Sequence, residues 1–368
     1  MGVRCGPHHE DKAKVSMWSN LTGKRLKRHA VVSGVGLRIR EGKVAQLAAI
    51  ALASLSFATP VLAWEPEKPV EIVVAAGAGG ASDQMARMLQ AAIQKNNLLK
   101  QPVIVSIKGG ASGAEGLMYM KGVEADPHKF IIAYSLIYTL PLAAKVPFDW
   151  RELTPVSIVA FDQFVLWDNV SAQKTTKEFL EAAKASAQPF KMGGTGSKRE
   201  DHIITAAISA KSGAKFAYLP YKSGGEAATQ LVGGHTEGNV NNPSENAEVW
   251  RADQVRALCL FDSERVAYKD KVTATMSWND IPTCKEEGLD IQYTMLRGIF
   301  LPGKVTAEQT AFYVDLFARI AKTGEYQDYM KKQALKPASL VGADMVKFLE
   351  EDETRHKQIM TEAGFLAN

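Results

Sequence analysis

The sequence of 368 residues predicts an α/β protein of two domains, and three observations carry that prediction. Short runs rich in β-branched residues alternate with helical runs, the pattern of a mostly parallel sheet. A unit of apolar strand, glycine-rich turn and helix start occurs near residue 77 and recurs about 115 residues later. The length suffices for two such domains.

The first unit reads VEIVVAAGAGGASDQMAR over residues 70–87. Val70 to Ala76 form the apolar run, Gly77, Gly79 and Gly80 the turn, and a helix opens at Ser82. Ala86, Leu89 and Ile93 recur at helical spacing, so one helix face packs back onto the strand. A strand entering a helix N-terminus through glycines leaves backbone N–H groups free, aimed in the direction the macrodipole favours for an anion. Glycines let the anion approach closely. Gly77, Ala78, Gly79, Gly80, Ala81, Ser82 and Asp83 are therefore the first candidate ligand loop, although Ser82 or Asp83 also reads as the N-cap of an ordinary structural turn.

In the second unit, Phe190 to Gly193 are strand-like and Gly194, Thr195, Gly196, Ser197 and Lys198 turn into a helix over 200–212. His202, Ile203, Ala206 and Ala207 keep the helical stripe. Two amide-lined loops from two domains, facing each other, make a clamp. The pairing favours a ligand role over two independent turns.

The other elements follow in order. Val103–Ile107 is a strand that enters a second glycine turn (Gly109, Gly110, Gly113) and a helix over 114–123. Residues 130–134, 156–160 and 164–167 are strands, and a helix bearing Phe179, Ala182 and Ala183 follows Thr175–Thr176. Strands are expected at 216–219 and 236–240 around a helix at 226–232. Asn241, Asn242 and Pro243 end the second strand, Ser244 is placed to cap the next helix, and 255–261 is a further strand. Ile281-Pro282-Thr283 leads into a short helix ending at Gly288, and runs at 291–295 and 298–301 return to the first domain. Helices over 307–321, 325–332 and 344–363 complete the chain. His356 shares a helical stripe with Met345, Leu349 and Met360 and reads as a helix residue, not a catalyst. The expected division is 64–168 with 290–368 as one lobe and 169–289 as the other.

Charge separates the N-terminal segment from the rest. Residues 1–63 hold ten of the 44 Lys/Arg and three of the 40 Asp/Glu, so the remainder carries 34 against 37. The formal charge of +4 thus belongs to the front, and nothing points to a nucleic-acid surface. That segment is expected to be an export signal: basic residues from Lys24 to Lys43, an Ala/Leu-rich run over 44–57, then Pro60 and Val61-Leu62-Ala63, with cleavage after Ala63. Alanine dominance and interruption by polar residues argue against an uncleaved membrane anchor. Met17 is a candidate true start. Cys259 and Cys284 are read as inert buried thiols, with a disulfide as the alternative in an oxidising compartment. The mature histidines stand singly, without metal-ligand spacing, so no metal or cofactor is expected.

Several separated motifs stand in one order: Lys68-Pro69-Val70-Glu71-Ile72-Val73-Val74 into Gly79-Gly80-Ala81-Ser82-Asp83; Gly109-Gly110-Ala111-Ser112-Gly113; and Gly193-Gly194-Thr195-Gly196-Ser197. After them come Pro220-Tyr221-Lys222, Leu231-Val232-Gly233-Gly234, Pro282-Thr283 with Glu287-Gly288, and Arg297-Gly298-Ile299-Phe300 before Pro302. Each is weak alone, but the ordered set, from Trp64 to the C-terminus, resembles the Bug family of periplasmic solute receptors. These are the binding components of tripartite tricarboxylate transporters.

The resemblance implies a type II periplasmic-binding-protein architecture, two α/β lobes joined by two crossover strands with a ligand cleft between them. It implies a small organic carboxylate of the di- or tricarboxylate class, held by backbone N–H groups and waters from Gly77–Asp83 and Gly194–Lys198. It further implies a membrane permease as partner, a monomeric receptor and a periplasmic location. Lys198, Arg199 and Arg297 are the cations available for a distal carboxylate. The chain departs from relatives in three places: Gly77-Ala78-Gly79-Gly80 where many have Pro-Gly-Gly, Leu296 where some have Trp, and neutral Asn241 and Asn242 where many have an acid. A neutral amide there would tolerate a second carboxylate that an acid repels. The competing class is an exported NADP-binding oxidoreductase, since Val73–Ser82 approaches the dinucleotide fingerprint and Lys108 stands where NAD binding wants an acid. A ligand sensor for two-component signalling is the third reading. A hydrolase is disfavoured by the lack of a GxSxG elbow.

Overall fold

The structure, a computed structural model, describes residues 64–367, so the expected leader, its cleavage site and Met17 lie outside the described residues. Among the described residues, two mixed sheets are each flanked by helices. The first sheet contains β1 (Val70–Val74), β2 (Val103–Ile107), β3 (Lys129–Ala133), β4 (Leu153–Gln163), β10 (Thr294–Pro302) and β11 (Lys336–Leu340) in the order β11-β4-β10-β3-β1-β2. β1 pairs in parallel with β2 and β3, whereas β10 is antiparallel to β3 and β4. Val70, Ile72, Val73 and Val74 are buried, as expected of a strand covered on both faces.

The second sheet contains β5 (Val165–Asn169), β6 (Phe190–Thr195), β7 (Phe216–Tyr221), β8 (Gly238–Asn241) and β9 (Val255–Leu260) in the order β7-β6-β8-β5-β9. The chain passes from one sheet to the other at Phe164, between β4 and β5, so the expected division after residue 168 falls inside β5. It returns into β10, a single strand where two runs were expected, with a register shift between Arg297 and Gly298.

The helices are α1 (Ala81–Lys95), α2 (Ala114–Gly122), α3 (Leu136–Ala144), α4 (Thr176–Ala185), α5 (Glu200–Ser212), α6 (Gly224–Val232), α7 (Pro243–Arg251), α8 (Ala307–Ile320), α9 (Gly324–Lys332) and α10 (Gly342–Glu362). In α1, Met85, Ala86, Leu89, Ala92 and Ile93 are buried, the stripe that period 3.6 requires. α4 is capped by Thr175, which accepts the Glu178 N–H at 3.1 Å. Gly109 abuts the base of the first loop so closely that a Cβ there would lie 2.6 Å from the Ala76 carbonyl.

Three expectations need correction, and two elements were not expected at all. Ser244 does not cap α7: Asn242 occupies the cap position and Pro243, with no N–H to lose, the first turn. Residues 284–288 form turns instead of a helix. α3 and β11 were not foreseen. Cys259 and Cys284 are not free thiols; they form a disulfide with Cα atoms 4.7 Å apart. Backbone bonds bring them together, since Leu260 N–H donates to Pro282 O (2.9 Å) and Cys284 N–H to Leu260 O (2.8 Å).

The C-terminal tail touches both halves. Ala367 N–H donates to Leu142 O in α3 at 2.9 Å, while Phe365 packs 4.4 Å from the His202 ring of α5. His202 in turn stacks on Tyr218 of β7 at 4.0 Å.

Candidate functional site

The first glycine loop, Thr195 at the head of the second and the start of α5 line one cavity of about 210 Å³. From the first loop come Gly77, Ala78, Gly80, Ala81 and Ser82, in the turn between the C-terminal end of β1 and α1. That end is where open α/β sheets place ligands. Gly80 is the N-cap of α1 and makes no side-chain cap, so the first-turn amides are not capped by its side chain. Gly79 and Asp83 have a different task. Asp83 accepts the Gly79 N–H at 2.7 Å and pairs with Arg87 at 3.0 Å, bracing the loop from behind.

The second loop contributes less than expected. Of Gly194, Thr195, Gly196, Ser197 and Lys198, only Thr195 lines the cavity. Gly196 N–H is spent on Tyr221 O (2.9 Å) and Lys198 N–H on His202 Nδ1 (3.1 Å). Thr195 N–H donates to Asp201 at 2.5 Å, the counterpart of the Gly79–Asp83 brace. The wall here is the start of α5: Arg199, Glu200 and Asp201.

Arg297 lies in the cavity wall, but its charge is already engaged. Its Nε donates to Asp162 at 3.1 Å, its Nη2 bonds the same carboxylate, and its Nη1 donates to Ser82 Oγ at 2.9 Å. Arg297 and Asp162 are both buried. Asn242 lines the cavity and donates to Gln163 O at 2.9 Å. Asn241 stands behind it, donating to Gly224 O (2.9 Å) and Asn246 (2.7 Å), so its amide ties α6 to α7 and does not line the cavity.

Sequence reasoning missed Tyr134, Phe164, Glu200, Asp201, Lys222, Ser223, Glu245 and Met295, all in the lining. Tyr134 follows the end of β3, and Lys222 closes the Pro220-Tyr221-Lys222 motif, so position at a strand end was the available signal. Arg199 reaches across the cleft and donates to Tyr134 Oη at 2.5 Å. Burial pushes the Glu245 carboxyl up to about 7, with nearby Asp162 adding to the shift. Burial likewise raises Asp201 well above the carboxylate range and holds His202 down to about 4. Among the described residues, no group of three or more His, Cys, Asp or Glu is placed to hold a metal ion.

Comparison with known proteins places this architecture. The family profile described as the tripartite tricarboxylate transporter family receptor, TctC, matches residues 85–365. A Cupriavidus necator relative, "UPF0065 protein in gbd 5'region", is 26% identical over 327 residues, covering 88% of this chain and 96% of its own. Protein BugT of Bordetella pertussis is 31% identical over 225 residues, covering 59% of this chain and 68% of its own. Among solved structures, a Rhodopseudomonas palustris protein with adipate has TM-score 0.73 at 20% identity, covering 81% of this chain and 98% of its own. MatC of the same organism, with bound malate, has TM-score 0.69 at 19% identity, covering 80% and 99%. Both share the two-lobed fold. The family is one of receptors, so the NADP-dependent oxidoreductase reading falls. The match over most of the chain, on a fold whose two lobes share one cavity, makes it a member of the tripartite tricarboxylate transporter receptor family, of the Bug type.

Proposed function

We propose that this protein is an extracytoplasmic receptor that binds a small organic carboxylate of the di- or tricarboxylate class between its lobes. It would then deliver that ligand, as a monomer, to the membrane permease of a tripartite tricarboxylate-type transporter. The observation that carries the reading is the cavity shared by the Gly77–Ser82 loop and the start of α5. Adipate and malate in the two R. palustris structures support the ligand class. The proposed ligand residues are Gly77, Ala78, Gly80, Ala81 and Ser82 from one lobe and Thr195 from the other, with Asn242 and Arg297 completing the wall. The lobes are proposed to divide at Phe164 and at Thr294. The N-terminal segment is proposed as a signal cleaved after Ala63; among the described residues no helix is long and apolar enough to cross a membrane.

The energetics suit a receptor. Hydrogen bonds to a charged group contribute about 1.5–3 kcal/mol each. Four or five, less the costs of ordering and closure, reach the roughly −8 kcal/mol of a micromolar complex. Ligand at about 100 times Kd stabilises by about 2.7 kcal/mol, a melting shift of roughly 5 °C or more. Thermal-shift and calorimetric screening of the purified protein against di- and tricarboxylates tests this, and no hit across a broad panel defeats it.

A further inference from the structure

We propose, on the reading that the leader is cleaved after Ala63, that the cut creates an ion pair: the new α-ammonium of Trp64 binds Glu308 and pins the mature N-terminus to α8. In the uncut chain the Trp64 nitrogen is a neutral amide with a single N–H. After the cut it is an ammonium at neutral pH, and its hydrogen bond to a carboxylate becomes charge-assisted on both sides.

The receiving site is built around that nitrogen. Trp64 N–H donates to Glu308 Oε1 at 2.8 Å, between residues 244 positions apart. The indole beside it sits among three rings, edge-on to Phe312 at 5.3 Å and tilted against Tyr313 and His128 at 6.0 Å each. Trp64 thereby packs onto the core of the first lobe. The residues that follow are fastened as well. Glu65 pairs with Lys100 at 2.6 Å, Glu67 N–H donates to His128 Nε2 at 3.3 Å, and Val70 N–H donates to Pro102 O at 2.9 Å. With the ring and the next residues held, the nitrogen meets Glu308 at little further cost in chain freedom.

Glu308 has the charge for this task and no competing cation. It stands in the first turn of α8, where Thr306 and Gln309 already form the capping box, so the cap does not need it. Among the described residues no Lys, Arg or His pairs with it. The other ionisable groups packed around Trp64 are engaged: His128 with Asp126 at 3.1 Å, the Tyr313 hydroxyl with Pro127 O at 2.6 Å, Lys100 with Glu65, and Arg319 with Asp315 at 2.8 Å. Glu308 is exposed, so solvent screens the pair and its effect is modest. A carboxylate beside an ammonium favours the charged form, so this amine keeps its proton above the ordinary α-amino value of about 7.7–8.0. The folded value is raised, so the stabilisation is present at neutral pH and lost as pH rises through that raised value.

The test starts from the full precursor, exported so that processing occurs, with intact mass giving the first residue. Trace acetylation of the mature protein across a pH series, read on the N-terminal peptide, then gives the titration curve of the amine. Glu308→Gln keeps the acceptor oxygen and removes the charge. The wild-type amine is expected to titrate about half a pH unit above that of the variant. The wild type should also melt about 1–2 °C higher at neutral pH, with the gap closed at about pH 10, where a plain hydrogen bond would keep it. An exported chain beginning at any other residue overturns the inference together with the cleavage reading. A chain that begins at Trp64 but titrates and melts alike with and without the Glu308 charge overturns the pairing and leaves the cleavage standing.

Discussion

Reducing the Cys259–Cys284 bridge should weaken the second lobe by an amount the chain length sets. The bridge closes a segment with a sequence separation of 25. On the chain-entropy model a loop of that size is worth ~3.5 kcal/mol at 25 °C. Both cysteines are fully buried, so the reduced thiols remain as small apolar groups, and most of the change comes from the lost link. At roughly 2 °C per kcal/mol for a chain of this size, melting should fall by ~7 °C on reduction. Differential scanning calorimetry with and without reductant measures this. A Cys259→Ala/Cys284→Ala variant should match the reduced protein and ignore reductant. The reasoning is refuted if oxidised and reduced protein melt within about 1 °C, or if thiol titration in denaturant finds both cysteines free.

Two further outcomes are expected. Arg297→Met should cost ~3–5 kcal/mol in urea unfolding, because Asp162 is left buried without its partner, and Arg297→Met/Asp162→Leu should recover most of it; a loss under about 1 kcal/mol for the single variant refutes a desolvated pair. Asp168 in β5 is held up to about 7 by burial, although the Asn169 and Gln173 N–H groups oppose the shift. The folded state therefore binds the extra proton between the ordinary carboxylate range and 7, and stability falls as pH rises through that window. Asp168→Asn should flatten the slope, leaving the share that Asp201 and Glu245 contribute in the same direction, and an unchanged slope across pH 4–8 contradicts the assignment.

The local rules that made parts of this fold legible are visible residue by residue. β2 and α5 fall on their expected limits, because Val103–Ile107 is a short β-branched run and Gly213, at φ +75, stops a well-patterned helix. α3 escaped because Leu136–Ala144 is apolar on every side, giving no stripe to read, and holds Pro141 in its interior. β11 carries Pro337, which argues against a strand except at a sheet edge, and the edge is where it lies. At the site, the first loop was readable because one contiguous stretch builds it. The acids were not, since Glu200 and Asp201 look like ordinary first-turn helix residues and Glu245 reaches the cavity only through the packing of α7 on α6. Arg297 was visible as a cation, but its neutraliser Asp162 lies 135 positions away.

Phe365, tilted against the His202 ring that stacks on Tyr218, has a practical bearing on anyone handling the protein. If the lobes part and close as the proposed receptor function requires, Phe365 has to slide or peel from His202, so a purification handle or fluorophore fused just beyond it would load that contact directly. A reporter placed there would double as a gauge of the proposed closure. The same fusion at the Trp64 end would be free of that mechanical coupling to His202.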